Sequence, residues 1–83
     1  MNTASIELQT IAINLKRLRT ARGLSQDGLA QGSKVSARSV MRIEAGRSVQ
    51  GETLVLVAKF LSVTLEDITK NSFPEAESGK DRN

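Results

Sequence analysis

Two arginines four residues apart, Arg38 and Arg42, lie in the segment Val35-Ser36-Ala37-Arg38-Ser39-Val40-Met41-Arg42-Ile43-Glu44-Ala45-Gly46. On an α-helix, successive side chains turn by about 100°, and residues four apart adjoin each other. Val40, Ile43 and Ser39 then share one face, and Ala37, Arg38, Met41 and Arg42 the other. An arginine fork matches the O6 and N7 acceptors of guanine, and a small residue such as Ala37 lets the backbone approach a thymine methyl. The second face is therefore suited to reading base edges in a groove of duplex DNA.

The elements around this segment fit that chemistry. Gly23 can end a helix in the left-handed conformation, and Ser25 can cap the next one through its hydroxyl. Ser36 is a second N-cap and Gly46 a second stop. Two short helices joined by a tight turn make a helix-turn-helix, whose second helix lies in the major groove. In that geometry Ser25, Ser36, Arg47 and Ser48 are expected at phosphates, with Lys34 a weaker candidate.

The residues carrying this pattern are Leu24-Ser25-Gln26, Leu29-Ala30, Val35-Ser36, Val40, Ile43-Glu44, Gly46, Glu52-Thr53-Leu54, Val57-Ala58, Leu61, Val63-Thr64-Leu65 and Asp67-Ile68. From about Ile11 to Ile68 the chain resembles the Cro/lambda-repressor-type (XRE-like) helix-turn-helix family. The resemblance implies an all-α, compact five-helix bundle. It implies that Gln26 points its amide at a phosphate beside the positive end of a helix dipole. It also implies a structural ion pair between Arg19 and Glu44, since a carboxylate in the reading helix would repel DNA.

Charge supports the same partner. The 83 residues carry a net charge of +3, but the stretch from Lys16 to Arg47 holds eight basic and two acidic residues, +6, against −3 for the rest. A localised basic face is the footprint of phosphate binding. Only Phe60 and Phe73 are aromatic, whereas single-strand and RNA readers stack bases on aromatic platforms; duplex DNA is favoured.

Other chemistries find little to work with. The chain has no Cys and no His, which excludes disulfides, zinc sites of the usual ligands and Cys or His nucleophiles. Glu66 and Asp67 are adjacent and do not face each other on a helix. Ser25 and Ser36 have no His partner, and Lys34 alone is no base. No enzyme activity, metal or cofactor is expected. Residues Met1 to Gln9 contain no Lys or Arg and no long apolar run, so a signal peptide is not expected, nor is a membrane span, and the expected location is the cytoplasm.

Helical periodicity places helices at about Leu8–Arg22 (buried stripe Leu8, Ile11, Leu15, Leu18), Gln26–Ser33, Ala37–Ala45, Glu52–Leu61 (stripe Leu54, Val57, Ala58, Leu61) and Leu65–Lys70. Thr64 and Asp67 have the spacing of a capping box. Residues 1–70 are read as the DNA-binding domain and 71–83 as a flexible polar tail, with Phe73 its one anchor. Lys34 stands where the family usually has Gly, which implies a left-handed lysine costing about 1 kcal/mol, or a rearranged turn. Gly28 and Gly32 inside the second helix cost about 1 kcal/mol each and predict a short or frayed helix. The connection Arg47-Ser48-Val49-Gln50-Gly51 lacks the proline often found in the family just before the fourth helix. Leu56 and Phe60, at i and i+4 on the far side of the fourth helix, form an apolar patch that Ile6 or Phe73 would otherwise cover; with Val63 they are the candidate homodimer contact.

The sequence thus predicts a sequence-specific, double-stranded-DNA-binding transcriptional regulator, a repressor on a palindromic operator as a dimer. The alternatives are an antitoxin-like or protein-bridging module, with a toxin or another regulator as protein partner, and a restriction-modification controller protein.

Overall fold

A computed structural model of the chain describes residues 3–70, in which five helices follow one another: α1 Thr3–Ala21, α2 Gln26–Ser33, α3 Ala37–Glu44, α4 Gly51–Leu61 and α5 Leu65–Thr69. The expected tail at 71–83, with Phe73, and the side chain of Ile6 lie outside the described residues. α1 begins five residues before its expected start at Leu8. Thr3 to Glu7 contain no Gly or Pro to stop a helix, so propensity extends it past the apolar stripe from which the boundary was read.

Each helix contributes to one core: Ile11 and Leu15 from α1, Leu29 and Ala30 from α2, Val40 and Ile43 from α3, Val57, Ala58 and Leu61 from α4, and Ile68 from α5. Leu18, Leu24, Val35, Ala37, Val49, Leu54 and Val63 pack around it, partly buried. Since a single small core is marginal, the helix ends carry polar work. Asn14, buried on α1, donates from Nδ2 to the carbonyls of Ile68 (2.7 Å) and Lys70 (2.8 Å), closing the C-terminal end of α5. Arg22 donates to the carbonyl of Leu61 at 2.7 Å, satisfying the end of α4. Arg22 belongs to the basic segment, but its guanidinium serves the fold.

The first four helices end in the same way. After α1, the N–H groups of Gly23 and Leu24 bond the carbonyls of Thr20 and Arg19; after α3, those of Gly46 and Arg47 bond Ile43 and Arg42. After α2, Lys34 and Val35 bond Gln31 and Ala30, and after α4, Ser62 and Val63 bond Lys59 and Ala58. This 6→1, 5→2 closure requires one left-handed residue. Gly23 (φ 68°) and Gly46 (φ 79°) adopt it without strain, whereas Lys34 (φ 64°) and Ser62 (φ 60°) carry a side chain there.

α2 is not frayed, contrary to the expectation drawn from its glycines. Its eight residues are capped by Ser25, which accepts from the N–H of Gly28, and closed by Lys34. Gly32 has a packing reason: a Cβ added there would overlap the ring of Phe60. The ring lies where a side chain would stand, so α2 and α4 approach closely at this point.

The expected apolar patch on α4 is partly open and partly packed. Phe60 is 43% exposed but rests on Gly32, Leu56 is half-buried, and Val63 packs against the core. Val55 on α4 and Leu65 on α5 are also exposed, at 39% and 43%.

α4 starts at Gly51 with no side-chain cap, whereas α5 has a full capping box. The N–H of Asp67 bonds Thr64 Oγ1, and the N–H of Thr64 bonds Asp67 Oδ2, both at 3.0 Å. The Thr64 N–H, aided by its hydroxyl, holds the Asp67 carboxyl below its ordinary pKa. A lowered folded pKa means stabilisation present above the unfolded value of 3.8 and lost as pH falls through the folded value. The Asp67→Asn variant is therefore expected to melt below the wild type at pH 7, the two converging in acid. Melting curves across pH check this; a gap that stays constant with pH would contradict it.

Candidate nucleic-acid interface

The two caps at the helix starts are made by the serines expected to make them. Ser25 Oγ accepts from the N–H of Gly28 at 2.9 Å, and Ser36 Oγ accepts from the N–H of Ser39 at 3.0 Å. Ser36 and Ser39 also bond each other through their hydroxyls. The hydroxyl hydrogen of Ser25 remains available to an incoming acceptor, while that of Ser36 is shared with Ser39.

α3 turns Val40 and Ile43 into the core and leaves Arg38 and Met41 exposed, Met41 at 50%. Two assignments on this helix change. Helix periodicity puts Ala37 on the outer face, but it is half-buried and packs against the core. Ser39 was set on the inner face, but it lines a shallow hollow with Arg42, Ser48, Val49, Gln50 and Thr53. At about 100° per residue, both lie on the flanks of the Val40–Ile43 arc, so each is half-covered. The outward arc is Arg38, Met41, Arg42 and Ala45, which with Arg47 line a second open hollow.

Arg42 is the hinge between these hollows. It donates from Nη2 to the carbonyl of Ser48 at 2.9 Å, and its own carbonyl accepts from the N–H of Arg47. The loop carrying Arg47 and Ser48, both exposed, is thereby folded against the end of α3. A guanidinium has five donors, so this one contact leaves Arg42 most of its fork.

Behind the outer face lies a polar knot. Arg19 donates from Nε to Glu44 Oε2 at 2.6 Å and from Nη2 to Glu44 Oε1 at 3.0 Å, and from Nη1 to the carbonyl of Leu24 at 2.8 Å. Its side chain is 12% exposed and that of Glu44 5%. The hydrogen bond to Glu44 holds the guanidinium above its ordinary pKa, against the opposing effect of burial. Gln26 Nε2 donates to Glu44 Oε1 at 3.0 Å. The amide expected at a phosphate therefore spends one N–H on Glu44; its second N–H remains. Glu44 sits in the last turn of α3, where a carboxylate opposes the helix dipole, and the donors from α1 and α2 offset that. Sequence reasoning missed the Gln26 bond because it considered Glu44 with Arg19 alone.

The described residues contain no group of three or more acidic, His or Cys side chains able to hold a metal ion, and no described helix is long and apolar enough to cross a membrane. A helix-turn-helix family model, HTH_3, matches residues 15–68. Among solved structures, the chain is similar to an HTH_3 family transcriptional regulator from Vibrio cholerae, at 32% identity and a TM-score of 0.73. The match covers 88% of this chain and 47% of that one, so this chain spans about half the length of its relative. No curated protein matches.

Proposed function

The chain belongs to the HTH_3 helix-turn-helix family, and we propose that it regulates transcription by binding duplex DNA with α3 in the major groove. The observation that carries this is the outer face of α3. Arg38, Met41 and Arg42 are turned away from the core, and the exposed Arg47–Ser48 loop is bonded to Arg42. In this reading Arg38, Arg42 and Met41 contact base edges, and Ala37, half-covered at the helix start, allows close approach. Ser25, Gln26, Ser36, Arg47 and Ser48 contact phosphates on either side. The protein acts by binding, without catalysis, in the cytoplasm.

We further propose a repressor that binds a palindromic operator as a homodimer. One small module has modest specificity, and a two-fold pair presents two reading helices about one DNA turn apart, roughly 34 Å. Phe60 and Leu56, with the exposed Val55 and Leu65, make the proposed contact, and Val63 packs against the core. Selection of bound duplexes from random DNA tests this reading. The expected product is an inverted repeat with half-sites about ten base pairs apart, centre to centre. A single asymmetric half-site would contradict the dimer, and a pool without any enriched sequence would contradict specific binding.

A further inference from the structure

We infer that Lys34, in the turn between α2 and α3, binds a phosphate of the duplex backbone, its charge kept there against the backbone's preference for glycine. The inference rests on the duplex-binding reading above. The turn that ends α1, α2, α3 and α4 is built four times on one plan, with Gly23 and Gly46 in the left-handed position of two and Lys34 and Ser62 in that of the others. A residue with a side chain in that conformation is held against its steric preference, so what distinguishes Lys34 from Ser62 is its charge and its place. The backbone bonds of the turn, from Lys34 to Gln31 and from Val35 to Ala30, would be made equally by glycine.

The Lys34 side chain has no polar role in the described fold. It is exposed, and its ammonium has no hydrogen bond or ion pair among the described residues. It stands two residues before Ser36, the cap of the reading helix, within the segment of concentrated positive charge. An ammonium on a flexible four-carbon stem is a mobile point charge, suited to a phosphate and lacking the planar fork that reads a base edge. Ser62 is the internal comparison: the same backbone strain, no charge, and a place in the turn into α5 outside that segment.

The test uses three variants of the full chain, Lys34→Gly, Lys34→Gln and Ser62→Gly. Each is melted, then titrated over a range of salt with a duplex selected by the wild type and with a random duplex of equal length. Lys34→Gly is expected to melt higher and to bind both duplexes severalfold more weakly. Its slope of log affinity against log salt should be shallower by about one per bound chain. Lys34→Gln should show the same shallower slope without the gain in melting temperature. Ser62→Gly should melt higher with its slope unchanged. If the wild type binds in a salt-dependent way and both Lys34 variants keep its slope, this inference alone falls. A loss in Lys34→Gly that Lys34→Gln does not share assigns the effect to backbone conformation and also overturns it. A wild type without salt-dependent duplex binding overturns the inference together with the reading beneath it.

Discussion

Replacing Arg19 by Met is expected to destabilise the domain by about 3 kcal/mol, a large part of what so small a core supplies. The cost arises from the partner left behind. Glu44 is 5% exposed and accepts two bonds from Arg19, so removing the guanidinium strands a nearly buried carboxylate with only Gln26 beside it. Arg19 retains some contact with water at 12% exposure, which keeps the figure at the lower end of the range for buried pairs. The Glu44→Gln variant should cost less, because Arg19 keeps the carbonyl of Leu24. Denaturant melts of both singles and the double variant check this. The double variant should be markedly more stable than the sum of the single losses implies, since the charge stranded by each single change is then absent. Additive losses would mean that the two groups, though in contact, are not coupled.

Arg42→Ala is expected to weaken binding to a selected duplex by about 1–3 kcal/mol and to relax specificity at one base pair. The structure adds a second component. Arg42 also holds the carbonyl of Ser48, so its removal loosens the loop at Ser48, although the backbone bond from Arg47 N–H to the Arg42 carbonyl remains. Part of the loss should therefore fall on all sequences alike. Arg47→Ala isolates that part: it should weaken every duplex equally and leave base preferences unchanged. Repeating the selection with both variants separates the components. Identical base preferences for the wild type and Arg42→Ala would remove Arg42 from base reading and leave it the loop's support.

The helices were legible because their stops, caps and apolar spacings are local. Ser25, Ser36 and the Thr64–Asp67 pair state where helices begin, and α2 runs as expected from Gln26 to Ser33. What was not legible depends on which elements meet. Gly32 reads as a weak point in a helix until the Phe60 ring of α4 is laid on it. Asn14 falls on the same helical spacing as Ile11 and Leu18, and that was the available signal that a polar side chain faces inward. Its targets, the carbonyls of Ile68 and Lys70, are more than fifty residues away. The outer face of α3 follows from the 100° turn alone, but its flanks do not. Ala37 and Ser39 are half-covered by neighbours that a single helix cannot reveal. Arg22 reads in the sequence as one more charge of the basic segment, because charge is visible there and the open end of α4 is not.

The central claim is that the outer face of α3 and the residues flanking it engage duplex DNA through its phosphates. The most direct measurement is the affinity of the wild-type chain for a duplex as salt is raised. Because the cations of the basic segment release counterions from the phosphates they neutralise, log affinity should fall linearly as log salt rises. A single strand of the same sequence should bind more weakly and with a shallower slope. Affinity that does not change with salt, or stronger binding to the single strand, would contradict the account.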